Sequence, residues 1–132
     1  MSMTAVKIMA VATGGALGAS LRYLVAAATH DVFGHGFPYG TLMVNIVGSA
    51  IIGYLVVLIP ETDTGLPIAR LLLITGLLGG FTTYSAFSIE TLEMMQDGHL
   101  TKAGLNILTT MFACLFSVWA GYLLARLVHG SS

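Results

Sequence analysis

The chain has 132 residues, of which 56% are hydrophobic and 8% charged, with a formal net charge of −1 at pH 7. A water-soluble domain of this size carries roughly a quarter charged residues, so this composition excludes one and makes lipid the solvent. The absence of a basic patch gives no footing for nucleic acid, and a single cysteine, Cys114, excludes an intrachain disulfide.

The first apolar run extends from about Ile8 to Ala28 and is interrupted only by Arg22. Lys7 stands before it in the manner of a signal peptide, but the run is too long for a signal core and reads as a mature span. Within it, Gly14 and Gly18, and likewise Gly15 and Ala19, stand four apart and form a small-residue groove for close helix packing. An intramembrane Arg requires a partner, water or reach to the interface, so Arg22 is either a structural anchor or a pathway charge. Thr29-His30-Asp31, Gly34-His35-Gly36 and Pro38 then read as a turn.

A second run, about Gly40 to Ile59, carries no charge. Its Asn45 is a strong hydrogen-bonding group in apolar surroundings. Spacing favours interhelical hydrogen bonding, with a pore-lining amide as the alternative. Pro60 through Gly65 ends the run, and Pro67 opens the next.

The third run, about Ile68 to Met95, holds Gly79-Gly80-Phe81-Thr82-Thr83 in its middle. This is poor helix material, and a broken third helix is expected there; backbone freed at membrane depth must find protein, water or an ion. Tyr84 and Phe87 follow, three apart and so on one helical face. Such a pair is ordinarily packing, although aromatic ring edges carry partial positive charge and suit an anion. Glu90 lies one turn nearer the surface as a candidate vestibule residue, and Glu93 a turn further as a solvated helix-end charge.

Asp97-Gly98 closes the third run, and the fourth extends from about Thr101 to Val128. Asn106, Thr110, Cys114 and Ser117 fall at steps of four, four and three on one face. The file serves either helix–helix hydrogen bonding or a dehydrated anion. Cys114 itself reads as a packing residue.

The whole chain, 1–132, thus reads as one all-α membrane domain of four transmembrane helices, about 8–28, 40–59, 68–95 and 101–128, each long enough for a hydrocarbon core of ~30 Å. Short loops force the helices to alternate. Lys7, Arg70 and Arg126 then lie on the side of the termini, with Lys102 and Arg22 toward the other. Three cations against two leave almost no positive-inside bias: either the chain inserts both ways and pairs with an inverted copy, or the one extra charge suffices to orient it.

The segments Gly14-Gly15-x-x-Gly18-Ala19-x-x-Arg22-Tyr23, Gly40-Thr41-Leu-x-Val44-Asn45-x-x-Gly48 and Gly76-x-x-Gly79-Gly80-Phe81-Thr82-Thr83-Tyr84-Ser85-x-Phe87-Ser88 together resemble the Fluc/CrcB fluoride channels. The three occur in order across three of the four helices, and the fourth helix agrees in length and polar pattern. The resemblance implies an antiparallel, dual-topology homodimer in the bacterial inner membrane, passively exporting fluoride through two pores. It implies a fluoride path at Asn45, Tyr84, Ser85, Phe87 and Thr110, with Arg22 and Glu90 at its vestibules. It also implies a central structural sodium ion held by the carbonyls of Gly79 and Thr82. The chain departs from the family where Phe is usual at Tyr84, where Thr is frequent at Ala86, and where a hydroxyl is common at Cys114.

The competing reading from another class is a small multidrug exporter coupled to protons, which needs a buried carboxylate in its first helix; Ile8–Ala28 has none. A purely structural subunit gains nothing from Gly-Gly at membrane depth. No nucleophile–base pair or metal-ligand cluster suggests an enzyme, and His30, His35, His99 and His129 all fall in loops or at helix ends.

Overall fold

The computed structural model describes residues 1–130. Helix α1 spans Met3–Phe33, where the Ser2 hydroxyl caps the helix by accepting from the Ala5 N–H at 3.2 Å. It continues about one and a half turns beyond its apolar run, to Phe33. Thr29, His30 and Asp31 belong to the helix, and the stop comes at Gly34, whose φ of 73° side chains resist and whose N–H reaches the His30 carbonyl at 2.9 Å. Polar residues alone do not end a helix that emerges into water; the positive-φ glycine does.

Helix α2 spans Tyr39–Leu58. The loop that follows is held by Arg70 from the start of the next segment, which donates to the Ile59 carbonyl at 2.6 Å and pairs with Glu61 at 3.4 Å. The third membrane-length segment, Ile68–Gln96, is composite. A first turn, α3 (Ile68–Arg70), leads into a π-helical stretch, Leu71–Leu78, and then α4 (Gly79–Phe81). Thr82 and Thr83 are extended, with φ/ψ of −82°/157° and −154°/121°, before α5 (Tyr84–Gln96). Gly79 and Gly80 themselves are helical, so the irregular backbone lies after the glycines. Helix α6 spans Leu100–His129.

The molecule is therefore all-helical among the described residues, with four helical segments long and apolar enough to cross a membrane. Few large apolar side chains are buried: Val44, Leu71, Leu78 and Phe87 are, whereas Leu17, Phe112, Leu115 and Trp119 are exposed. A continuous apolar exterior of this kind is untenable in water and ordinary in lipid. The chain is a multi-pass membrane protein.

Packing pairs α1 with the third segment and α2 with α6, each through glycine. A Cβ at Gly14 would overlap the Leu72 carbonyl, and one at Gly18 the Leu77 carbonyl. Across the other pair, a Cβ at Gly53 would overlap the Val118 carbonyl and one at Gly121 the Ala50 carbonyl. Backbones meet here without side chains between them, the packing mode available where no hydrophobic effect drives helices together. The same close approach delivers α2 against the extended pair Thr82–Thr83, whose Thr82 methyl fills the space a Gly48 Cβ would need.

Candidate functional site

Extended backbone inside a membrane needs polar partners, and Asn45 supplies them. The Thr83 N–H donates to Asn45 Oδ1 at 2.8 Å, and Asn45 Nδ2 donates to the Thr83 carbonyl at 3.0 Å. A side-chain amide thus pairs with one peptide unit as a neighbouring strand would. Asn45 is a bond between helices in this chain. An amide nitrogen has two hydrogens, so the second remains for the cleft that Asn45 borders.

This diversion has consequences for two carbonyls. In an unbroken helix the Thr83 N–H would serve Gly79 and the Ala86 N–H would serve Thr82. Here Thr83 is taken by Asn45, and the Ala86 N–H donates to the Thr83 hydroxyl at 3.1 Å. The carbonyls of Gly79 and Thr82 lose their helical donors. Uncharged carbonyl oxygens with free lone pairs are the chemistry that suits a hard monovalent cation, so the residues present fit the sodium ion that the resemblance implies.

Between α2, α5 and α6 lies a cleft of about 740 Å³. Tyr84 and Phe87 stand on its wall with ring centroids 5.3 Å apart and planes tilted by 55°. Phe87 is buried, whereas Tyr84 is 79% exposed toward the molecular exterior. A hydrogen-bonded file crosses from α6 to α5 and ends at Phe87. The Thr110 hydroxyl donates to Asn106 Oδ1 at 3.5 Å, Asn106 Nδ2 to Thr91 Oγ1 at 2.9 Å, and Thr91 to the Phe87 carbonyl at 2.7 Å. Among the described residues no charged side chain lines this cleft.

Of the expected path residues, Asn45, Tyr84, Phe87 and Thr110 share the cleft. Ser85 is not on its wall; its hydroxyl lies 3.2 Å from that of Thr83, and Ser88 occupies the wall instead. The sequence reading gave no role to Thr91 or Ser88. A usable signal existed for Thr91: it lies one turn beyond Phe87, a lone hydroxyl in a face continuous with the aromatic pair.

Arg22 and Glu90 border a separate cleft of about 340 Å³ on the α1 side. Arg22 Nε donates to the Gly80 carbonyl at 3.0 Å, which satisfies another helical oxygen next to the extended pair. The Thr41 hydroxyl donates to Glu90 Oε1 at 2.6 Å, and Glu90 Oε2 is buried without a partner. Thr41 is a further polar residue that the sequence reading left unassigned.

Fold and site together define a small multi-pass membrane protein whose inner surfaces offer neutral hydroxyls, amides and ring edges to a solute. The family model described as CrcB-like protein, Camphor Resistance (CrcB), matches residues 9–122. The chain is 42% identical over 119 residues to a protein of Geobacter sulfurreducens named Fluoride-specific ion channel FluC, covering 90% of this chain and 96% of that one. It is 44% identical over 114 residues to proteins of the same name from Shewanella piezotolerans and Shewanella amazonensis, covering 86% of this chain and 91% of each. This chain belongs to the CrcB family.

Proposed function

We propose that this protein is a fluoride-specific channel of a bacterial inner membrane that lets fluoride leave the cytoplasm by passive permeation. The observation that carries the proposal is the 42% identity over 90% of the chain to a relative named as a fluoride-specific channel. The cleft supplies a consistent chemistry. Fluoride is small and strongly hydrated, and only closely placed donors offset its lost water. The Thr110 hydroxyl, held by a long 3.5 Å bond, is free to turn toward an anion. Asn45 has its second amide hydrogen for the same purpose, and the edges of Tyr84 and Phe87 add partial positive charge. None of these is a fixed charge that would trap the ion. Arg22 and Glu90 stand at vestibules, and Ser85 lies near the path through Thr83.

The working unit in this reading is an antiparallel homodimer, which the near-even split of cations across the two faces supports. The interruption at Thr82–Thr83 is then the break in the third helix. The carbonyls of Gly79 and Thr82 from two copies would hold a structural sodium ion, which supplies the positive charge those oxygens lack and ties the copies together. A proton-coupled drug exporter is disfavoured: the only acidic residue in α1 is Asp31, in its last turn.

Purified protein in liposomes loaded with fluoride, read with an ion-selective electrode beside a chloride control, tests the activity. Rapid fluoride loss with chloride retained is expected; equal retention of both ions refutes the channel. Reporter fusions at the C-terminus test the dimer, since a single orientation in the unaltered chain would exclude the antiparallel pair. Ser131 and Ser132 lie outside the described residues, and such fusions need no structure there.

A further inference from the structure

At the end of the molecule opposite the termini, the α1–α2 loop and the α5–α6 loop enclose a third cleft, of about 480 Å³. Its lining is rich in titratable groups that take no part in the cleft of Asn45, Phe87 and Thr110. His30 comes from the last turn of α1, His35 from the α1–α2 loop, and His99 from the cap of α6. The His30 and His35 rings are in edge contact, with planes 80° apart. Lys102 enters from α6 and donates to the Gly36 carbonyl at 3.3 Å, which ties the first loop to the fourth helix. Facing these from α5 and its C-cap are Glu90, Glu93 and Asp97, and Tyr39 is the remaining titratable side chain on the wall. Glu90 also borders the Arg22 cleft, so its side chain is a wall common to the two spaces.

We propose that this cleft is an anion-collecting mouth whose sign is set by His30, His35 and His99, so that mildly acid solution opens the approach to fluoride. The inference rests on the fluoride-channel reading and adds to it the regulation of one entrance. The charge balance carries the argument. With neutral imidazoles, one ammonium faces three carboxylates, and the mouth repels an anion. With three imidazolium groups, four cations face the same three carboxylates, and the sign reverses. Imidazole is the side chain whose charge changes in the pH 5–8 range. A low-dielectric wall focuses such a change on the space it encloses.

The test is electrical, in planar bilayers at low ionic strength with the same pH on both sides, which removes any dependence on insertion direction. Current is the proper readout because hydrogen fluoride crossing the lipid carries none. Lowering pH from 7.5 to 5.5 is expected to raise fluoride conductance about two- to fourfold, from a change of two or three charges acting over a screened distance near a Debye length. The triple variant His30→Gln/His35→Gln/His99→Gln is expected to conduct equally at the two pH values. In the unaltered protein, an impermeant salt at about 1 M is expected to abolish the pH response, because screening then acts within ~3 Å. A pH response that survives in the triple variant, or that is indifferent to salt, overturns the inference while the channel stands. Fluoride conductance that is the same at both pH values does so too. Absence of fluoride conductance at every pH overturns the channel reading itself, and the inference with it.

Discussion

The Asn45 clamp makes a demand on stability that can be worked out bond by bond. Replacing Asn45 with Leu keeps similar volume and removes both bonds to Thr83, at 2.8 and 3.0 Å. Side-chain hydrogen bonds in membrane bundles contribute ~0.6 kcal/mol on average and up to ~1.7 kcal/mol. The Thr83 N–H and carbonyl are then left without partners beside an apolar side chain, a further cost of about 1–3 kcal/mol for each group that stays unsatisfied. Partial rescue, by Thr83 returning to its helical partner Gly79, limits the total to about 2–4 kcal/mol. That same rescue would pull Thr83 toward helix and reposition Tyr84 and Phe87, so transport should fall with stability. Unfolding in an SDS titration, with fluoride efflux measured in parallel, reads both. An Asn45→Leu protein within ~0.5 kcal/mol of its parent and with undiminished efflux would show that the clamp holds nothing.

Phe87→Ile fills comparable space without a positive ring edge; efflux should vanish while size-exclusion chromatography still reports the assembled protein, and unchanged transport would return Phe87 to a packing role. Tyr84→Phe removes a hydroxyl from a side chain that is 79% exposed, and efflux should stay within a few-fold. A loss of tenfold or more would match a charge-assisted bond of about 1.5–3 kcal/mol and make the hydroxyl a fluoride ligand. Gly18→Val sets a branched side chain into the Leu77 carbonyl, where backbone cannot yield, and should cost upwards of ~1–3 kcal/mol and most of the folded yield. Gly15→Ala, whose Cβ would sit 3.9 Å from the Gly76 carbonyl, should be tolerated; equal damage from both would refute the helix contact.

The number and character of the membrane spans were legible in the sequence, because long apolar runs with few charges have one stable solution in lipid: helices that satisfy their own backbone. Residue types were legible for the same reason. A lone amide, a file of hydroxyls or an arginine within such runs must find a polar partner, and Asn45, Asn106 and Arg22 stand out on that ground. Partners were not legible. The glycine pair Gly79-Gly80 marks a weak stretch of helix, yet the extended residues are Thr82 and Thr83, because the group that compensates them, Asn45, is 38 residues away in the chain. Thr91 stands one turn beyond Phe87 on the same face, but the group it serves, Asn106, comes from the neighbouring helix. Ser85 and Ser88 look alike in sequence, and only the direction in which α5 leaves Thr83 puts Ser88 on the cleft wall. Local composition fixes which backbone and side-chain groups must be satisfied. Which group satisfies which is decided by the helices that abut, and here that choice was made by backbone contacts at Gly14, Gly18, Gly53 and Gly121, where the absence of a side chain lets two distant parts of the chain touch.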